Sequence, residues 1–144
     1  MKNRRKGREL ALHLLFEWSV QGGDIKKLNK EFWEVTPCKE GIKEFAQWMA
    51  LDTVTHIDEI DGWIKKVSKH WDINRINLVD KNIIRLAIFE FLYADDIPCA
   101  VTINEAIEIG KMYGAEESGS FVNGILDKVM SITNCGERKK RAEV

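Results

Sequence analysis

"NLVDKNIIRLAIFEFLY" (residues 77–93) carries apolar side chains at Ile83, Ile84, Ala87, Ile88, Phe91 and Leu92. These recur at helical spacing and cover a wide face, so the stretch reads as the most buried helix of the chain, ended by the turn "DDIP". Upstream, Leu10, Leu14 and Trp18 with Ala11 and Leu15 predict an amphipathic first helix of about four turns, stopped by Gly22-Gly23. Residues 24–35 offer a short, weaker helix ended by "TPCKEG". From Ile42 a 3.6-residue period runs through Phe45, Trp48 and Met49, then Ile57, Ile60, Ile64 and Val67, with a break near Thr53 to Thr55. Downstream, "TINEAIEIGKMYG" contains Thr102 and Glu105 in the T-x-x-E capping-box spacing, with Gly114 as a C-terminal cap. A last helix is predicted to begin near Glu117 to Ser120 and run through "FVNGILDKVMSI". Beyond Asn134 a charged tail, expected to be disordered, closes the chain. Strand-like alternation and hairpin turns are absent, so the predicted class is all-α.

The 144 residues and an apolar fraction of 44% suit one domain, or two small subdomains sharing a core. The formal charge of -1 hides an asymmetry. Lys2, Arg4, Arg5, Lys6 and Arg8 precede the first acid, and "RKKR" stands at 138–141, which leaves 13 basic against 22 acidic residues from Glu9 to Glu137. Basic ends on an acidic body point to an anionic partner, because attraction acts locally and is screened within roughly 8 Å at physiological salt. Cys38, Cys99 and Cys135 are odd in number and widely spaced, so neither a disulfide framework nor a thiolate metal site is expected, and a reducing cytoplasm fits. Glu9, His13 and Glu17 interrupt the apolar run that a secretory signal needs, and no stretch of about 20 apolar residues spans a membrane.

Phosphate-binding loops, dinucleotide fingerprints, zinc-protease helices and nucleophile elbows are all missing, so no catalytic residue, cofactor or metal is expected. His13, His56 and His70 are isolated; His56 and Glu59 read as a helix-surface pair. Asp95-Asp96 precede a proline turn, and Glu116-Glu117 sit where a helix macrodipole favours negative charge. The basic opening is more informative. In a helix starting near Arg4 or Arg5, Arg4 and Arg8, and Arg5 and Arg8, share a face while Leu10, Leu14 and Trp18 anchor the next turns. Guanidinium groups so positioned suit phosphate, to which they donate paired hydrogen bonds. Trp18, Trp48, Trp63, Phe45 and Phe91 read as core. Phe121 stands in a helix first turn among small polar residues, where spacing favours the core but a base could also stack on the ring.

"INEAIEIGKMYGAEESGSFVNGILDKV" resembles the C-terminal signature of the bacterial transcription antitermination factor NusB family. "RRKGRELALHLLFEW" resembles the arginine-rich first helix of that family, and "VDKNIIRLAIFEFLYADDIP" its central helix and following turn. The resemblance implies an all-α fold of about seven helices in two small bundles packed across each other. In this chain that division corresponds to residues 1–70 and 71–136 of a single domain, with 137–144 as the basic tail. It also implies a non-catalytic role: binding boxA-type single-stranded RNA together with the small-subunit ribosomal protein NusE, so that RNA polymerase reads through terminators, chiefly on ribosomal RNA operons. On this resemblance Lys2, Arg4, Arg5, Lys6 and Arg8 would meet phosphates; Glu117, Ser118 and Phe121 would face RNA; and Asp80 falls where relatives meet RNA or the ribosomal partner. Ser120 departs from a basic residue that some members carry, and the "RKKR" tail is a candidate to offset that loss. Two other readings compete: a homodimeric scaffold, and a module associated with RNA methyltransferases, although no cofactor-binding α/β segment is present.

Overall fold

The computed structural model describes residues 2–68 and 72–142. Their order is α1 (Lys2–Gln21), α2 (Ile25–Glu34), α3 (Glu40–Thr55), α4 (Ile57–Val67), a 3-10 turn (Ile73–Arg75), α5 (Leu78–Tyr93), α6 (Cys99–Tyr113), α7 (Ser118–Ile132) and α8 (Cys135–Ala142). Among the described residues there is no strand, and no helix is long and apolar enough to cross a membrane. His70 lies outside the described residues, and only the backbone of Lys2 is described.

The central helix α5 touches α1, α3, α4, α6 and α7. All six of its predicted apolar positions are buried, and Leu86, Phe89, Asn82 and Glu90 are buried as well. The helix is therefore covered on nearly all sides, and each fully buried Ile, Leu or Phe contributes about 1.5–3 kcal/mol. Asn77 caps it by accepting the Asp80 N–H at 2.9 Å. Gly22 and Gly23, at φ +72° and +86°, end α1 in the left-handed region, and Asp24 caps α2 through the Lys26 N–H. Helix α1 lies close on α3 because Gly7 has no Cβ: one placed there would stand 2.6 Å from Phe45 Cδ2.

Three expectations are corrected. Helix α6 starts at Cys99, with Pro98 at its N-cap, so Thr102 and Glu105 sit inside the helix and form no capping box. The Thr102 hydroxyl instead donates to Glu90 at 2.9 Å, and Glu105 receives arginines from α1. Residues 135–142, expected to be disordered, form α8, which makes eight α-helices among the described residues. Cysteine pairing does occur: Cys99 and Cys135 are disulfide-bonded, leaving Cys38 free. An odd count leaves one thiol over without preventing the other two from meeting. That bond and the buried Lys139, which donates to the Ile97 carbonyl, hold α8 on the body.

Candidate nucleic-acid interface

The exposed start of α1 is a row of cations leaning on carboxylates. Arg4 Nη2 donates to Asp96 at 3.0 Å, and Arg5 makes a two-point contact with Glu105 at 3.1 and 2.5 Å. Both guanidiniums remain half-exposed. The Arg5 bonds hold the Glu105 carboxyl below its ordinary value and raise Arg5 in return. Lys6 is exposed and makes no ion pair among the described residues. The Phe45 ring lies under both Arg4 and Arg8, 5.3 and 5.6 Å from the guanidinium carbons, and orients them by cation–π attraction.

Arg8 requires a correction. It shares the predicted face but points inward, is 4% exposed, and forks onto Glu90 at 2.8 and 3.0 Å, with a weaker 3.4 Å bond to Glu105. Glu90 is itself 2% exposed and also accepts from Thr102. With its donors so committed, Arg8 positions α1 rather than meeting phosphate. A charged residue in the middle of an apolar helix was the sequence signal for Glu90, since burial demands a partner of opposite sign.

A second feature forms where the head of α5 meets the start of α7. Asp80, far off in sequence from Glu117, Ser118 and Phe121, lines one groove of about 270 Å³ with them and with Arg75, Ile76, Asn77 and Ala115. Phe121 is half-buried and packs one side against the core. Glu117 is exposed at the N-cap of α7. Ser118 is turned inward, 2% exposed, and its Oγ accepts the Ala115 N–H at 2.8 Å, so it shapes the corner more than it offers a surface. Asp80, expected where relatives meet RNA or the ribosomal partner, is 4% exposed and lines this groove. Its Oδ2 accepts from Asn77 at 3.0 Å, while Oδ1 is buried with no hydrogen-bond partner among the described residues. The cation Arg75 of this groove had no motif to announce it. Helix α6 joins the two features: Glu105 in its middle holds Arg5, and Ile107 and Lys111 pack against Gly119 in the first turn of α7.

The model of the NusB family matches residues 5–131. The chain belongs to the NusB family. Transcription antitermination protein NusB of Desulfitobacterium hafniense is 45% identical over 139 residues, covering 95% of this chain and 94% of that protein. The NusB of Pelotomaculum thermopropionicum is 42% identical, with 89% of each chain covered. Among solved structures, T. maritima NusB superposes with a TM-score of 0.81 at 38% identity, covering 89% of this chain and 90% of that one. A structure of the antitermination factors NusB and NusE in complex with dsRNA gives 0.82 at 28% identity, covering 92% and 98%. The all-α NusB fold expected from the sequence is thus present. The matched NusB segment stops before α8.

Proposed function

We propose that this chain is a non-catalytic transcription antitermination factor of the cytoplasm, which binds boxA-type single-stranded RNA together with NusE and promotes read-through by RNA polymerase, especially on ribosomal RNA operons. The observation that carries this reading is family membership over residues 5–131, a span that includes Arg5, Lys6, Glu117 and Phe121. In this proposal Lys2, Arg4, Arg5 and Lys6 take phosphates, and Phe121 stacks an unpaired base at the groove mouth beside Glu117. The acidic body offers a face of opposite charge to a basic ribosomal protein. Phosphate contacts of this kind position RNA, and groove contacts select sequence.

The test is fluorescence anisotropy of a labelled boxA RNA against a scrambled one, with and without NusE. Tighter boxA binding, strengthened by NusE, supports the proposal; equal weak binding of both, unmoved by NusE, overturns it. Lys6→Ala should weaken both RNAs alike and lower the salt slope by about 0.7, the share of one single-strand phosphate. Phe121→Ala should cost about 1–3 kcal/mol on boxA with little change in slope. Unchanged far-ultraviolet circular dichroism in that variant separates lost stacking from lost packing.

A further inference from the structure

Helix α8 lies outside the family match and has little of its own to hold it. Among its described side chains only Cys135 and Lys139 are buried; Gly136, Glu137, Arg138, Lys140 and Arg141 are exposed. Eight residues of so polar a sequence neither nucleate a stable helix nor bury enough surface to dock. The helix stays because Cys135 is bonded to Cys99, at the start of α6, and because Lys139 reaches the Ile97 carbonyl in the α5–α6 turn.

That turn is where Arg4 is also held. Asp96 pairs with Arg4 at 3.0 Å, and Asp95 and Asp96 share an open groove of about 760 Å³ with Lys139, Lys140 and both bonded cysteines. Arg4 and Lys139, from the two basic ends of the chain, therefore both reach the α5–α6 turn. Both cysteines line this groove but are themselves buried, so exchange with a small thiol passes through local opening of α8. In the closed form each cysteine is the first residue of its helix, so the bond ties the start of α8 to the start of α6.

We propose that Cys99 and Cys135 form a reversible thiol–disulfide site, served by small disulfides and thiols, whose closed form docks α8 beside Arg4 and strengthens the hold on RNA. The effect on RNA rests on the function proposed above. Closure is an exchange: one cysteine thiolate attacks the small disulfide and expels a thiol, and the second then attacks the mixed disulfide and expels another. Two protein thiols are oxidised, one small disulfide is reduced to two thiols, and the two protons pass to the released thiolates. In the closed form Lys139 and Lys140 line the same groove as Asp95 and Asp96, and Arg4 stays paired with Asp96 at 3.0 Å. Arg138, Lys140 and Arg141 are then presented on a folded helix. In the open form the same cations ride on a loose coil.

The experiment compares the full chain treated with oxidised glutathione and with dithiothreitol, reading thiol count, hydrogen exchange over residues 135–142, and anisotropy of labelled boxA RNA at several salt concentrations. The closed protein should show one free thiol, Cys38, and the open protein three. Amide protection of α8 should vanish on opening. RNA should bind about three- to tenfold tighter to the closed form, with a salt slope steeper by about 0.7 to 1.4, one or two single-strand phosphates. A Cys99→Ser, Cys135→Ser double variant should match the open form under both treatments. Three thiols after glutathione disulfide, or equal α8 protection in both states, overturns the clasp. Equal RNA affinity and slope in both states, with Lys6→Ala still weakening binding, overturns its effect on RNA while the RNA reading stands. Absence of RNA binding in either state overturns that reading and the RNA half of this proposal together, and thiol count and exchange then decide the clasp.

Discussion

Arg8 and Glu90 show what a buried ion pair demands of its neighbours. Both are nearly inaccessible, and their two-point contact is completed by Thr102 and Glu105, so each charge is met inside the protein. Removing one partner strands the other. Arg8→Ala or Glu90→Ala should therefore lower unfolding stability by about 3–5 kcal/mol, measured by urea denaturation, whereas an Arg8→Met, Glu90→Leu pair should cost far less because no charge is left alone. Glu105 adds a pH dependence. Its folded pKa lies below the ordinary 4.5, chiefly through the bond from Arg5, so it adds stability that is present above that value and lost as pH falls through the lowered one. Thermal melts from pH 6 to pH 3 should show a steeper loss for the wild type than for Glu105→Gln. Residue types and helix period made the cationic face of α1 legible in the sequence, but not the direction of its members. Periodicity placed Arg8 beside Arg4 and Arg5, and only the tertiary location of Glu90 turns it inward.

At the scale of elements, the corner between α6 and α7 is set by two small residues. Gly114 ends α6 in extended backbone, and a Cβ there would come 2.3 Å from Ser118 Oγ, the atom that accepts the Ala115 N–H. Gly114→Ala should push Ser118 away, destabilise the fold by about 1–3 kcal/mol, and widen the groove that Phe121 lines, read as a lowered urea midpoint with weakened RNA binding. Most helices were legible because their apolar period is strong: α1 stops at its glycine pair, and the break between α3 and α4 falls where the pattern lapses. The start of α6 was not. A T-x-x-E spacing suits both a capping box and two buried contacts one turn apart, and local sequence does not distinguish them. Helix α8 was missed for a different reason, since it is docked by a thiol and a cation instead of an apolar stripe.

Over the whole molecule, α5 is the shared wall, packed against α1, α3 and α4 on one part and α6 and α7 on another. We propose that the segments 1–70 and 71–136 unfold as one unit for this reason. Tryptophan fluorescence and far-ultraviolet circular dichroism should then give coincident urea transitions; separated midpoints would mean two independent bundles. Motif resemblance brought Asp80, Glu117, Ser118 and Phe121 onto the candidate site, but the groove that gathers them needs the approach of α5 to α7, a long-range fact beyond any spacing rule. The arrangement of Arg4 on Asp96 and Arg5 on Glu105 has a final consequence. Each arginine already carries a resident counterion that is part of the chain. On the function proposed above, a phosphate arriving there displaces a carboxylate of the chain itself as the RNA sheds a counterion. On that reading each arginine gains a phosphate only by giving up a carboxylate, whereas Lys6 gives up no ion pair among the described residues, so the lysine adds more to the hold per contact.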